Sequence, residues 1–295
     1  MKRLIGKTVV LICAILVCIC MIVIFIAHPC NYFNEQSEKD KMLSSPNRPE
    51  SIVLLGGSNV IYGFSSQMIE DSLKMNTIND GFHAGLGMKF ILENCSLHLK
   101  SGDMLILCPE YEHFIGNGCY GEPLGLGLTV LSNPKYIRQL NYDQLHIVAK
   151  TIPYYIKTMI PYYKFWDDLE LSGFNSKGDF VHADNICTLP AAEPMCDTII
   201  NKEYCCSFFA QLRELESEGV KVFIWPPSYA SSFFQINKKP IDNIRKMFEI
   251  EGFSPLCDWS ECAYPDSLFY DTRYHLNNDG VVLNTCLLIN KLKSL

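Results

Sequence analysis

Ile52-Val53-Leu54-Leu55-Gly56-Gly57-Ser58-Asn59 is an apolar run of strand length that ends in two glycines and a serine. Such a run reads as a buried strand entering a tight turn, with the serine at the strand's carboxyl end. Open α/β sheets place their ligands there. The glycines let the backbone turn sharply and come close to a bound group, so the Ser58 hydroxyl is expected to stand clear of the sheet. Gly-Gly-Ser is also ordinary loop composition, and the residues that decide between these readings lie near the other end of the chain.

Outward from this stretch the apolar pattern alternates between strand and helix. Ser65 and Ser66 can cap a helix carrying Met68, Ile69 and Leu73, and Met75 to Asn79 reads as a short strand. Phe90 to Leu99 is an apolar helix that closes at Ser101-Gly102-Asp103, and Met104 to Cys108 is another unbroken apolar run. Later come a helix over 208–218, a strand over 220–225, a helix over 241–248 and a last helix capped by Asn277. This rhythm predicts an α/β fold with a mostly parallel sheet and crossover helices. Between Glu110 and about Lys202 the rhythm is lost, and the stretch at about 112–202 reads as an insertion that shapes a pocket. Its aromatics Tyr154, Tyr155, Tyr162, Tyr163 and Trp166 suit sugar rings, or else core packing or contact with a membrane surface.

The chain has 295 residues, 48% of them hydrophobic, which is ample for a globular core. Removing Lys2, Arg3 and Lys7, the three basic residues of positions 1–30, from the 25 leaves 22 against 32 acidic ones, a balance of −10. An acidic body of this kind argues against nucleic acid as a partner. Thr8 to Ala27 carries no charge and is expected to cross a bilayer as a single helix, with the basic residues inside and the remainder outside. An uncleaved anchor is favoured over a cleaved signal peptide because the apolar run is long and no small-residue cleavage pattern follows it. The expected organisation is an amino-terminal stub and anchor over 1–30, a polar linker over 31–50 and an α/β domain over 51–295.

There are 14 cysteines, with Cys187/Cys196 and Cys257/Cys262 the nearest pairs able to bridge in an oxidising compartment. No cysteine and histidine set has zinc-ligand spacing, so no metal is expected.

Asp271-Thr272-Arg273-Tyr274-His275-Leu276-Asn277 precedes the last helix. A carboxylate near a histidine can accept its Nδ1 proton and leave Nε2 to take a proton from a serine hydroxyl. With Ser58 this gives the order Ser, Asp, His; without it, His275 and Asp271 read as a cap and a turn.

On these residues the chain resembles the SGNH (GDSL-like) hydrolase superfamily, in its membrane-anchored bacterial branch associated with surface polysaccharides and acyl transfer. The matching blocks are Gly57-Ser58-Asn59, Asn79 to Gly87, Gly102-Asp103 with Pro109 to Glu112, and Asp271 to Asn277 with Gly280. The resemblance implies a three-layer α/β/α sandwich, Ser58 as nucleophile, His275 as general base and Asp271 as its orienting acid. It implies an oxyanion hole from the Ser58 and Gly81 amides, each donor worth about 3 kcal/mol in the transition state. Two departures stand out: Pro109 to His113 lacks the usual oxyanion asparagine, and Asp271 and His275 are four residues apart rather than three. Asn59 and His113 are candidates to replace the missing donor, Asp266 is the alternative acid, and Glu112, His113 and Tyr274 are expected to bind substrate. The function implied is O-acetyl transfer or ester hydrolysis on a cell-surface glycan, or on an acylated small-molecule or lipid-linked substrate, at the bacterial cytoplasmic membrane and without a cofactor. The alternative is a non-catalytic accessory protein docked to a membrane-bound acyltransferase or a glycan export complex.

Overall fold

Ile52, Val53, Leu54 and Leu55 are completely buried in the computed structural model, which describes residues 2–25, 32–158, 173–181 and 188–295. They form strand β1 (Ser51–Gly56), which pairs in parallel with β2 (Asn76–Asn79) on one side and β3 (Met104–Cys108) on the other. Strand β4 (Lys221–Ile224) pairs with β3, giving the order β2-β1-β3-β4. Both faces of β1 and β3 are covered, which is why each reads as an unbroken apolar run rather than an alternating one. The strand order reverses between β1 and β3, so the carboxyl ends of these two strands flank the crevice where such sheets bind ligands. Ser58 follows one of them and Glu110 the other.

In chain order the helices are α1 (Lys2–Phe25), α2 (Glu35–Leu43), α3 (Ser58–Ile61), α4 (Ser66–Leu73), α5 (Met88–Ser96) and α6 (Leu128–Ser132). They continue as α7 (Tyr142–Thr158), α8 (Lys202–Ser217), α9 (Ser231–Ile236), α10 (Lys238–Ile250) and α11 (Asn278–Lys293). A two-residue parallel ribbon joins β5 (Tyr229–Ala230) to β6 (Ala263–Tyr264).

The expected fold class is corrected on two counts. In place of a three-layer sandwich led by a transmembrane helix, the described residues hold a small parallel sheet of short strands within a chain dominated by helix. No helix among the described residues is long and apolar enough to cross a membrane. The expected single-pass anchor, and the placement at a bacterial cytoplasmic membrane that rested on it, are overturned by this finding.

The segment expected as a polar linker is a packed part of the domain. Lys39 of α2 is completely buried and donates from Nζ to the carbonyls of Asn79 and Gly178, each at 2.8 Å. Asp40 accepts from Asn94 Nδ2 and from the Tyr136 hydroxyl, each at 2.7 Å. Burial lowers the Lys39 amine from its ordinary value, with the Asp80 charge opposing. These polar side chains answer polar groups inside the protein rather than solvent.

Within the insertion, Tyr155 is buried and its hydroxyl donates to the Leu131 carbonyl at 3.1 Å, while Tyr154 packs against the core. Tyr162, Tyr163 and Trp166 lie outside the described residues. Cys187 also lies outside them, and Cys196 is a free thiol. Cys257 and Cys262 approach to 3.6 Å between sulfurs as two free thiols, well beyond the bonded distance of about 2.05 Å.

Candidate active site

The serine emerges where β1 gives way at once to α3. Gly57 is extended at φ −82° and ψ −152°, and Ser58 is the first helical residue, so its amide has no acceptor within the helix. Three segments meet at Gly57: a Cβ there would lie 2.5 Å from Glu110 Oε1 and 3.0 Å from Ala84 Cα. Only glycine permits this approach, which brings the ends of β1 and β3 and the 81–87 loop together.

The histidine arrives from the opposite end of the chain. The Asn277 side chain accepts from the Gly280 amide at 3.1 Å, starting α11, and donates to the Ser267 carbonyl at 2.9 Å. This fixes the loop in which His275 lies. Tyr62 stacks on the imidazole with ring centroids 4.1 Å apart and planes 11° from parallel. In this setting His275 Nε2 is 2.8 Å from Ser58 Oγ, and His275 Nδ1 is 2.7 Å from Asp271 Oδ1. Burial resists ionisation of Asp271, but the hydrogen bond to His275 and the imidazole's charge hold its carboxyl below the usual range. The four-residue spacing is accommodated by the turn in which the His275 amide bonds the Thr272 hydroxyl at 3.2 Å. Asp266 serves elsewhere, accepting from Ser231 Oγ at 3.2 Å and the Ser232 amide at 3.0 Å at the start of α9. Asn277→Ala removes the cap of α11 and is expected to cost about 1 kcal/mol of stability, read from the urea midpoint.

The expected oxyanion donors are not all brought to the serine. The Gly81 amide donates to Asn79 Oδ1 at 3.0 Å, and a Cβ at Gly81 would lie 2.4 Å from Val60, so this segment is packed beneath α3. Asn59 is buried and its side-chain amide donates to the Cys108 carbonyl at 3.0 Å, tying α3 to β3. His113 is an internal brace: Nδ1 accepts from the Glu110 amide and Nε2 donates to the Ala84 carbonyl, both at 3.1 Å. Burial lowers its pKa to about 4, so the ring is neutral. Among the described residues, the Ser58 amide is the one expected donor with no such internal acceptor.

Two of the three residues expected to bind substrate hold each other. Tyr274 is buried, its hydroxyl accepting from the Tyr111 amide at 3.0 Å and donating to Glu112. Glu112 also pairs with Arg273 at 2.8 Å. Glu112 and His113 line a cavity of about 340 Å³ together with Ala84, Gly85, Glu110 and Glu122. The Tyr274 side chain positions Glu112 rather than facing that cavity.

Glu110, Tyr62 and Arg273 are the site residues that sequence reasoning did not single out. Glu110 Oε1 is 3.4 Å from Ser58 Oγ and accepts from the Asn59 amide at 3.3 Å. Burial, reinforced by the Glu112 charge, pushes its carboxyl up to about 8 against the pull of the Asn59 amide, Arg273 and Ser58. Its place after Pro109 at a strand end was the available signal, because side chains there face the crevice. No protein-family model matches the chain, and no curated protein matches it.

Proposed function

We propose that this protein is a serine-dependent acyl-transfer enzyme, an esterase or O-acyltransferase of SGNH-like type. The observation that carries the reading is the continuous relay from Ser58 Oγ through His275 to Asp271, with steps of 2.8 and 2.7 Å. In the proposed reaction the Ser58 proton passes to His275 Nε2 while Oγ bonds the acyl carbon and the carbonyl pair moves onto oxygen. Collapse breaks the bond to the leaving alcohol, which takes the proton from His275, and leaves an acyl-Ser58 ester. Water or an acceptor hydroxyl, such as that of a sugar, then repeats the sequence in reverse. Asp271 keeps the imidazole tautomer with Nε2 free and balances its charge when protonated.

A second reading, a non-catalytic accessory protein, is motivated by the Gly81 amide and the Asn59 side chain, which are committed to internal acceptors. Incubation of the full chain with a serine-directed fluorophosphonate separates the two. The enzyme is expected to gain one phosphonyl adduct per chain by mass, mapped to Ser58 and absent from Ser58→Ala. A folded wild-type protein that takes up no adduct and releases no nitrophenol from nitrophenyl acetate sinks the enzymatic reading.

A further inference from the structure

Glu110 has no part in the relay, yet it lies against the nucleophile. Its Oε1 is 3.4 Å from Ser58 Oγ, the residue is 6% exposed, and it borders the 340 Å³ cavity. Oε1 accepts from Ser58 Oγ and from the Asn59 amide, but the oxyanion forms on the carbon that bonds Oγ, so a carboxyl this close to Oγ is near enough to donate to it when protonated. We propose that Glu110 acts as a neutral carboxylic acid that hydrogen-bonds the oxyanion, supplying the side-chain donor that the sequence lacks after β3; this rests on the acyl-transfer reading above. The acid keeps its own O–H bond throughout, while the transferred proton travels between Ser58, His275 and the leaving group.

The surroundings favour the acid form. Among the described residues Glu110 forms no ion pair, because Arg273 is held by Glu112. Within that pair the Glu112 charge weighs more on Glu110 than the Arg273 charge does, and it adds to the effect of burial. Burial keeps Cys108 from β3, Tyr229 from β5 and Tyr274 neutral by pushing them up, and His113 neutral by pushing it down, while Glu122 shares the cavity with Glu110 and His275 lies beyond Ser58 Oγ. A carboxylate in this position would oppose the developing negative charge, whereas a buried acid stabilises it, as in enzymes that keep a carboxyl protonated to donate a hydrogen bond. The carboxyl lies at about 8 rather than 4.5, so ionisation should begin to erode catalysis in mildly alkaline solution. Stability changes with the same sign. The folded value is raised, so the stabilisation is complete below about 4.5 and is lost as pH rises through about 8.

The test compares the full-length wild type with E110Q and E110A in nitrophenyl acetate turnover from about pH 6 to about pH 10, with Ser58→Ala as the blank. Wild-type kcat/KM is expected to decline above about pH 8. E110Q, whose amide donates at every pH, should lose about threefold at neutral pH and show no alkaline decline; E110A should lose about 100-fold. A residue with a purely structural role would lower the rate with the folded fraction and leave the shape of the pH profile unchanged. An infrared difference spectrum between wild type and E110Q near neutral pH reads the carboxylic acid carbonyl without turnover, and decides the protonation state even if E110A does not fold. Absence of that acid band, an alkaline decline that survives in E110Q, or a folded E110A within threefold of wild type would each overturn the proposal. Ser58-dependent turnover indifferent to Glu110 overturns the Glu110 role alone. An inert wild type, with or without the acid band, overturns the acyl-transfer reading and the donor role with it.

Discussion

Replacing His275 with alanine is expected to lower Ser58-dependent ester turnover by about 10⁴-fold in kcat while leaving KM within a few fold. An isolated serine hydroxyl is a weak nucleophile at neutral pH, and the group 2.8 Å from Ser58 Oγ is the imidazole that would accept its proton. Ser58→Ala should fall to the same floor. The Ser58→Ala/His275→Ala double variant should be no slower than either single, because serine and histidine act as one unit and removing one already idles the other. Asp271→Asn keeps the shape of the acid but presents an amide to Nδ1, favouring the wrong tautomer, and should cost about 10³–10⁴-fold. Tyr62→Leu removes the stacked ring that holds the imidazole plane and should cost far less, since Asp271 still orients Nδ1. Steady-state rates on nitrophenyl acetate, with each variant's fold checked by circular dichroism, measure the series. Losses that simply added in the double variant would mean that Ser58 and His275 do not work as a unit.

The parts of this site legible in the sequence are those whose cause is local. Ile52 to Leu55 and Leu105 to Leu107 are buried on both faces, so their strands appear as uninterrupted apolar runs, and Gly56-Gly57 marks where the first must turn. Asp271 and His275 are close in sequence, so their pairing could be argued from spacing alone. What was not legible depends on partners distant along the chain. Lys39 and Asp40 read as linker residues because they are charged, but they are charged to meet Asn79, Gly178 and Asn94, which only the folded chain brings near. Gly81 occupies the expected block, yet its amide direction is set by the Asn79 side chain. Glu110 is 52 residues from Ser58, and its importance comes from burial against that serine rather than from any motif. The apolar run from Thr8 to Ala27 suggested a membrane span by composition, and the described residues contain no such helix.

Asp103→Ala is expected to destabilise the fold by about 3–5 kcal/mol, a large share of the 5–15 kcal/mol typical of a domain. Arg48 grips this carboxylate with both terminal guanidinium nitrogens, at 2.9 Å to Oδ1 and 2.7 Å to Oδ2, in side chains only 3% and 0% exposed. The same oxygens accept the Ser51 amide at 2.9 Å and the Lys100 amide at 3.0 Å. Truncation therefore strands a buried cation and two backbone donors at once. Replacing both partners with apolar residues, as Arg48→Met with Asp103→Leu, should cost less than Asp103→Ala, because no unpaired charge remains; urea midpoints at constant m-value test the order. A double variant less stable than the single would show that the pair's worth lies in its hydrogen bonds to the backbone rather than in avoiding an orphaned charge. Asp103 holds Ser51 at the amino end of β1, whereas Ser58 leaves its carboxyl end, six positions beyond the strand's second residue. Turnover per folded Asp103→Ala molecule should therefore match wild type below its unfolding transition, and a loss in folded protein would mean that β1 transmits disorder along its whole length to the nucleophile.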